Sequence, residues 1–245
     1  MDTSFKRSPT FYDEESKNYS RRRYPEVATN YIQFFFTRRR KLVLELLSQV
    51  VQRTEAPRSL VEIGCADGIL LRSIQERMPK VFDQLVGIDI AEGMIAVAKD
   101  ATDDPAISYE VRKEFIPDRK FTVAMEVGVG ELTLRTEEEA EWAATQLVAG
   151  GYFLCGFAGR DSIVARLDKA AARREHLNTY ATYETALRKY FSIVGVRAYG
   201  LYVPFIWRIP FLARIVQPMA EIVGAVFPDL CHEQVYLLQK LPNAQ

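Results

Sequence analysis

A buried strand that breaks into a glycine-containing turn constrains the fold of this chain more than any other feature. Residues 60–63 are predicted to form an apolar strand, the turn contains Gly64 and Gly68, and a helix is predicted over about 67–78. A second apolar strand ends on Asp89. A strand–turn–helix–strand unit that ends on an acid is typical of the nucleotide-binding half of a doubly wound α/β fold. The glycines let the backbone pass close to a ligand, and the acid can bind both hydroxyls of a ribose.

The remainder of the chain alternates strands with helices, which predicts a mostly parallel sheet with helices on both faces. Strands are predicted at about 59–63, 85–89, 107–111, 121–126, 151–157, 193–200 and 231–240. Helices are predicted at about 25–53, 67–78, 91–100, 136–149, 161–177 and 182–191. We therefore expect an α/β fold with a Rossmann-like, seven-stranded sheet. An N-terminal helical cap is expected over 1–57 and a core over 58–245, with an insertion at about 201–229 before the last strand.

Two of the predicted helices carry clear sequence signals at their ends or along one face. The cap helix is expected to begin near Pro25, because proline suits a first helical turn. Its second half has an apolar stripe with helical spacing, made of Leu42, Val43, Leu46, Leu47 and Val50. The helix at 136–149 starts with a capping sequence at Thr136, and Gly150-Gly151 is expected to end it.

The charge balance and the cysteines narrow the class of protein. The 245 residues include 32 Lys and Arg against 32 Asp and Glu, so the chain lacks the basic excess of a nucleic-acid-binding protein. Cys65, Cys155 and Cys231 have no C-x-x-C spacing, which predicts neither a disulfide framework nor a zinc site and fits the reducing cytoplasm. The N-terminal residues contain no apolar stretch of the signal-peptide type. Charges and prolines interrupt the apolar segment 201–227, so no transmembrane segment is expected.

The glycine turn and the second strand resemble the first two motifs of class I S-adenosylmethionine-dependent methyltransferases. The matching runs are Glu62-x-Gly64-x-Ala66-x-Gly68 and Gly87-Ile88-Asp89-Ile90-x-x-x-Met94-Ile95. Residues 147–154 are similar to the segment that leads into the fifth strand of that family, and the last strand fits the family's reversed strand pair. The resemblance covers residues 58–158 well and 182–240 in layout. It implies S-adenosylmethionine as the cofactor and methyl transfer as the reaction.

The resemblance also implies a set of cofactor contacts. In chain order these are Tyr19, Glu62, Gly64, Cys65, Ala66, Gly68, Asp89, Ile90, Met94, Arg112 and Glu126. Residues 62–68 would surround the methionine moiety, Asp89 would bind the ribose, and Glu126 would lie below the sulfonium. Ile90 and Met94 would contact the faces of the adenine. Tyr12 is an alternative to Tyr19 for closing the carboxylate end of the cofactor.

Three positions depart from the family pattern. Ala66 replaces the middle glycine of the loop, which still permits a close backbone approach if its φ angle is negative. Arg112 and Lys113 occupy the position after the third strand where the family often has an acid for the adenine amino group. Backbone groups, Glu114 or stacking must then hold the adenine. Residues 125–131, after the fourth strand, lack the histidine or aromatic pattern that would mark a catalytic residue.

Other functions fit parts of the same pattern. A nicotinamide dinucleotide site favours G-x-G-x-x-G or G-x-x-x-G-x-G, whereas this loop provides only G-x-x-x-G. The Tyr-x-x-x-Lys spacing of short-chain dehydrogenases occurs from Tyr109 to Lys113, on a predicted strand rather than a helix. The remaining alternatives are a strand–helix turn that binds no nucleotide and a protein that binds S-adenosylmethionine without catalysis.

Methyl transfer requires chiefly an aligned donor and acceptor, with removal of a proton when the acceptor is a hydroxyl or an ammonium. His176 and Glu131 are the candidate general bases, whereas His232 is expected to lie away from the cofactor. A metal-assisted reaction needs clustered carboxylates, and Glu126 and Glu131 alone do not suffice, so no metal is predicted. The predicted reaction is O- or N-methylation of a small-molecule acceptor in a biosynthetic or tailoring pathway.

Two further features concern the acceptor and other partners. The basic runs 21–23 and 38–41, which are arginines except for Lys41, flank an aromatic patch formed by Tyr31 and residues 34–36. Either the aromatic rings pack on the sheet while the arginines face water, or the arginines bind a phosphate of the acceptor. The apolar segment 201–229 has four interpretations: a local core, a homodimer contact, a wall for a hydrophobic acceptor, or a membrane-surface contact. Its modest charge favours the first three.

Overall fold

The computed structural model describes residues 9–117, 119–129, 136–167 and 177–242. The strands are β1 (Ser59–Ile63), β2 (Gln84–Asp89), β3 (Ile107–Val111), β4 (Phe121–Val127), β5 (Leu147–Ala158), β6 (Phe191–Tyr199) and β7 (Glu233–Lys240). They form a seven-stranded sheet of order β3-β2-β1-β4-β5-β7-β6. Strands β1 to β5 run parallel, and β7 is antiparallel to both β5 and β6. The predicted Rossmann-like α/β fold is confirmed.

Helices precede the sheet and cover both of its faces. In the described residues they are α1 (Pro9–Ser16), α2 (Tyr19–Arg23), α3 (Tyr31–Val51), α4 (Ile69–Arg77), α5 (Glu92–Asp100), α6 (Thr136–Gln146), α7 (Ile163–Leu167), α8 (Tyr180–Leu187) and α9 (Pro210–Val226). Helices α1 to α3 provide the expected helical cap. Because α3 shares an apolar core with the sheet, the boundary at residue 57 stays a prediction.

Two apolar cores hold the helices on the sheet. On one face, Leu47 of α3 and Leu71 of α4 belong to the same buried cluster as Leu60 of β1. On the other face, Ala143 of α6 is buried in a cluster with Phe153 of β5. Full burial of each large apolar side chain stabilises the fold by about 1.5–3 kcal/mol. These cores fix the strands whose carboxyl ends carry the site described below.

The cap helix α3 begins later than predicted. The structure starts it at Tyr31, so the expected role of Pro25 in its first turn was wrong. Asn30 caps the helix instead, because its Oδ1 accepts a hydrogen bond from the Gln33 N–H at 3.0 Å. Gln33 Oε1 in turn accepts from the Thr29 N–H at 2.9 Å. This reciprocal cap satisfies backbone donors at the helix start, and the predicted apolar stripe of α3 is buried as expected.

The boundary between α6 and β5 also differs from the prediction. Helix α6 ends at Gln146 and β5 begins directly at Leu147, so Gly150 and Gly151 lie inside the strand and do not end the helix. Leu147 pairs with Phe121 of β4, and the register then shifts before Tyr152. Gly150, at φ +69, accommodates this irregularity.

The insertion between β6 and β7 contains a helix that sequence reasoning did not predict. Helix α9 has Pro210 in its first turn, where the missing N–H removes no hydrogen bond. It also continues through Pro218. The apolar residues of this segment nevertheless recur with helical spacing.

The chain has no helix, within the described residues, with the length and hydropathy needed to cross a bilayer. Cys65, Cys155 and Cys231 are buried and free of disulfides. The cytoplasmic location stays a prediction.

Candidate active site

The loop after β1 has a backbone conformation that glycine favours. Gly64 and Gly68 have φ angles of +71 and +76. A Cβ atom on Gly64 would collide with the Val129 side chain, and one on Gly68 would collide with the Tyr109 ring. The Gly64 N–H donates to the carbonyl of Ile88 at 2.7 Å, which ties the loop to β2. The loop therefore forms a tight bend at the carboxyl edge of the sheet, where α/β proteins bind ligands.

Ala66 adopts the left-handed conformation as well. Its φ angle is +49, so the condition of a negative φ, under which alanine would fit this loop without strain, is not met. In this conformation the Ala66 N–H donates to Asp89 Oδ2 at 2.9 Å. Alanine therefore bears a strain that a glycine would avoid at this position.

Asp89 is fixed by backbone donors at the end of β2. Its Oδ2 accepts from Ala66, and its Oδ1 accepts from the Ala91 N–H at 3.0 Å. Burial raises the pKa of this carboxyl group, and the backbone hydrogen bonds oppose that shift. Each carboxylate oxygen can accept more than one hydrogen bond, so Asp89 retains acceptor capacity toward the cavity that it lines.

A cavity of about 650 Å³ of free space, open mouth included, lies beside this loop. It is lined by Tyr12, Tyr19, Gly64, Ala66, Asp89, Ile90, Met94, Arg112, Val127, Gly128 and Val129. Small-molecule and cofactor sites have volumes of roughly 300–1,000 Å³. Seven of the expected cofactor contacts lie on this wall, together with Tyr12. Residues 127–129 reach this wall because β4 lies beside β1 and runs parallel to it. They were not predicted from the sequence as cofactor contacts.

Three other expected contacts lie in or beside the loop but do not line the cavity. Glu62 is buried in β1, and its Oε2 has no hydrogen-bond partner in the described structure. Burial and the negative charges of Asp89 and Asp67 raise the pKa of Glu62 well above its usual range. The Cys65 thiol is buried, and burial raises its pKa. Gly68 precedes α4 and packs against Tyr109.

Glu126 is buried near a half-buried ion pair formed by Arg112 and Glu139. Burial raises the pKa of Glu126 to about 8, with a further contribution from the charge of Glu139 and an opposing one from Arg112. Arg112 binds Glu139 at 2.5 Å and lies over the Trp142 ring, with its Cζ atom 5.2 Å from the ring centroid. Arg112 thus links this ion pair to the cavity wall, whereas Glu126 lies outside that wall. Its expected place below the sulfonium stays a prediction.

The N-terminal helices close over the cavity through specific hydrogen bonds. The Ser20 N–H and Oγ–H donate to the two carboxylate oxygens of Asp67 at 3.0 and 2.7 Å. In α1, Asp13 Oδ1 accepts from the Gly93 N–H at 2.7 Å. Arg23 lies over the Tyr19 ring at 4.1 Å, and burial raises the pKa of Tyr19 to about 12. Sequence reasoning proposed the tyrosines but missed these anchors, which join segments distant in the chain.

A buried arginine behind the cavity was also missed. Arg39 of α3 pairs with Glu233, and its Nε donates to Tyr199 Oη at 2.9 Å. Tyr199 Oη donates to Glu233 Oε1 at 2.6 Å. The Arg39 guanidinium also fills the space that a side chain on Gly128 would need. One sequence signal could have indicated that Arg39 is buried. It lies four residues after Phe35, so both side chains fall on the apolar side of α3.

The arginine runs divide between the interior and the surface. Arg39 is buried, so the alternative in which the arginines face water does not hold for this residue. Arg38 lies within 4.0 Å of carboxylate oxygens of Glu45 and Glu221. Arg22 is largely exposed and binds Glu15.

The two candidate general bases, His176 and Glu131, lie outside the described residues. In the described part of the chain, no three His, Cys, Asp or Glu residues are grouped to bind a metal ion. Independence from metal stays a prediction.

Comparisons with known proteins agree with this fold. A family model described as a methyltransferase domain matches residues 35–197. The chain is 32% identical over 93 residues to a malonyl-[acyl-carrier protein] O-methyltransferase of Anoxybacillus flavithermus; this covers 38% of the chain and 34% of that relative. The chain thus spans about a third of the length of this curated relative.

Solved structures share the whole architecture at low sequence identity. The N-methyltransferase NodS of Bradyrhizobium japonicum, in complex with S-adenosyl-L-homocysteine, has a TM-score of 0.62 at 16% identity, over 96% of this chain and 98% of that one. The plantazolicin methyltransferase BpumL has a TM-score of 0.60 at 20% identity, over 93% and 90% of the two chains. At these identities the likeness shows the fold.

The chain belongs to the methyltransferase domain family, because the family model covers more than half of its length. It is a class I S-adenosylmethionine-dependent methyltransferase, and S-adenosylmethionine is its methyl donor. The expected family, enzyme class and cofactor are confirmed. The residues of the cavity and of the strand beside it fit this cofactor. The cavity wall provides a glycine cradle and a fixed carboxylate, and Glu62 of β1 has a buried oxygen without a hydrogen-bond partner in the described structure.

Proposed function

We propose that the enzyme methylates an oxygen or nitrogen atom of a small-molecule acceptor in a biosynthetic or tailoring pathway. The observation that carries the proposal is the convergence of the glycine loop, Asp89 and the two cap tyrosines on one cavity. A cavity closed by the chain's own N-terminal helices suits a small acceptor. The neutral charge of the chain gives no support to a nucleic-acid acceptor.

In this proposal, β1, β2 and their loop hold the polar parts of the cofactor. Asp89 accepts hydrogen bonds from the ribose hydroxyls, because its oxygens are oriented by backbone N–H groups. The backbone from Gly64 to Gly68 surrounds the methionine moiety. Glu62 provides a negative charge for the amino group, since its Oε2 has no partner within the described residues. A cation there would restore the ionised state that burial disfavours.

The apolar part of the cavity suits the adenine ring. Ile90 and Met94 line it and would contact the faces of the base. Arg112, held by Glu139 and Trp142, lines the same wall where the family often has an acid. Tyr12 and Tyr19 close the cavity from the cap.

When bound, S-adenosylmethionine supplies an electrophilic methyl group. The protein's contribution is to align the acceptor, to exclude water through the cap and to remove a proton where the acceptor carries one. His176 and Glu131 remain the proposed bases.

The surroundings of Arg38 and Arg39 give no support to a phosphorylated acceptor. Arg39 is paired with Glu233, and Arg38 lies between Glu45 and Glu221. Neither guanidinium is therefore available as a dedicated phosphate site. Among the relatives, the names of an O-methyltransferase and an N-methyltransferase support the two reaction types proposed.

The test is transfer of isotope-labelled methyl groups from S-adenosylmethionine to a panel of small hydroxyl and amine compounds. The proposal predicts S-adenosylhomocysteine formation with at least one acceptor class, and its loss in the Asp89→Ala variant. Tight binding of S-adenosylmethionine without turnover on any small acceptor would favour a non-catalytic binding protein. Selective turnover on a protein or nucleic acid would contradict the choice of acceptor.

A further inference from the structure

Helix α9 exposes its large apolar residues and buries its small ones. Its buried positions are Ala213, Gln217, Ala220 and Gly224. Its large exposed residues include Phe211 and Ile222, which are 72% and 71% exposed. A helix on the surface of a globular protein normally has the opposite arrangement. The outer side of α9 is therefore built to contact something other than water.

The exposed residues form one continuous surface, which we call the α9 apolar face. It comprises Phe211, Leu212, Ile215, Met219, Ile222, Val223 and Val226. At 3.6 residues per turn these side chains occupy an arc of roughly 120°, and no charged or hydrogen-bonding side chain of α9 falls inside that arc. The exposed Phe205, Ile209 and Phe227 extend the surface at both ends.

The charges beside the α9 apolar face are positive. Arg208 and Arg214 are exposed, and the Arg208 guanidinium lies over the Phe205 ring at 4.9 Å. The carboxylate of Glu221 turns inward, where its oxygens accept from the Gly200 N–H at 3.1 and 3.3 Å. The first exposed carboxylate beyond the helix is that of Asp229.

We propose that the α9 apolar face binds the surface of a membrane that contains anionic lipids. An interfacial helix lies in the membrane plane with its apolar side about 5–10 Å into the headgroup boundary, and this needs no polar partner. Protein interfaces contain about one hydrogen bond per 100–200 Å², and the side chains of this face offer none. Arg208 and Arg214 complement anionic headgroups at its edge.

The insertion that contains α9 lies at the same edge of the sheet as the cavity. Glu233, at the start of β7, pairs with Ala158 at the carboxyl end of β5. The insertion therefore leaves and re-enters the sheet at the edge that carries the cofactor loop. Trp207 of the insertion packs near Tyr31 of α3, with ring centroids 6.5 Å apart. The binding itself does not depend on the proposed acceptor or reaction.

The test is flotation of the full chain with unilamellar vesicles of phosphatidylcholine, with and without about a third phosphatidylglycerol. We expect binding to the anionic vesicles, and at least a roughly tenfold loss in the double variant Phe211→Ser with Ile222→Ser. Both side chains are exposed, so the fold should be unchanged by circular dichroism. A double variant of exposed residues elsewhere, Ile116→Ser with Val148→Ser, is the matched control and should bind like the wild type.

Charge reversal measures the electrostatic contribution to vesicle binding separately from the apolar one. The double variant Arg208→Glu with Arg214→Glu should lose the preference for anionic vesicles. The proposal is overturned if the wild type binds neither vesicle, or if Phe211→Ser with Ile222→Ser binds as well as the wild type. A wild-type dimer that becomes monomeric in this variant, without vesicle binding, would assign the face to a second copy and also overturn the proposal.

Discussion

Ala66 joins the glycine loop after β1 to Asp89, because its backbone N–H donates to the Asp89 carboxylate. At a φ of +49 it occupies a region that costs a residue with a Cβ roughly 1–2 kcal/mol. We expect Ala66→Gly to fold with equal or slightly higher stability and unchanged cofactor affinity. A β-branched side chain fits this region worst, so Ala66→Val should lower the free energy of unfolding. Urea unfolding of the three proteins checks the order Gly, Ala, Val. A valine variant as stable as the wild type would contradict the strain assigned to Ala66.

Glu126 should make the stability of the enzyme depend on pH. Because burial raises its folded-state pKa from 4.5 to about 8, the folded state prefers the protonated form. This contribution is fully present below about pH 4.5 and is lost as the pH rises through about 8. We expect Glu126→Gln to remove the loss, which is on the order of a few kcal/mol. Urea midpoints between pH 5 and 9 measure it, with the exposed Glu110→Gln as control. Parallel curves for Glu126→Gln and the wild type would contradict this origin.

The positions of site residues could be predicted from the sequence where a local pattern indicated them. The glycine loop and Asp89 were recognisable, because each lies at the end of a buried strand. The pairing of Arg39 with Glu233 was not, since the two residues are separated by 194 positions. A charge in an apolar stripe predicts a buried partner but does not identify it. The positive φ angle of Ala66 accompanies a hydrogen bond to another strand, so it was equally inaccessible.

At the element scale, the cap formed by α1 and α2 is attached to the cofactor loop by few bonds. Ser20→Ala removes the hydroxyl that donates to Asp67 at 2.7 Å and leaves the backbone bond intact. A hydrogen bond to a charged group contributes about 1.5–3 kcal/mol. We therefore expect weaker cofactor binding, by roughly tenfold, and faster tryptic cleavage at residues 21–23.

The matched control is Ser192→Ala, whose hydroxyl lies on the exposed edge strand β6. This variant should bind the cofactor and resist trypsin like the wild type. Saturating S-adenosylhomocysteine should slow cleavage of the wild type more than that of Ser20→Ala. Equal protection in both proteins would show that the cap does not close over the cofactor.

Element boundaries were predictable where the local sequence signals agreed. The strands from β1 to β4 begin and end within two residues of prediction, because apolar runs and flanking turns agree. At Leu147 the pairing with β4 outweighed the helix-ending glycines. In α9 the prolines concealed a helix whose apolar face points away from the core, against the usual pattern.

At the scale of the whole molecule, the order of the strands brings the site together. Strand β1 lies between β2 and β4, so the glycine loop, Asp89 and residues 127–129 meet at one edge. This arrangement follows from alternating strands and helices and was predictable as a class of fold. The way in which the cap and the α9 insertion pack around the site was not predictable, because both depend on contacts between distant segments.

The central claim is that this edge binds S-adenosylmethionine, with Asp89 as the group that holds its ribose. The most direct test is calorimetric titration of the wild type and Asp89→Ala with S-adenosylhomocysteine, and of the wild type with NAD⁺. The account predicts one site per chain, no binding of NAD⁺, and a loss of about 1.5–3 kcal/mol in the variant, which is roughly 10- to 150-fold in Kd. Equal affinity of the two proteins, or a preference for NAD⁺, would contradict it.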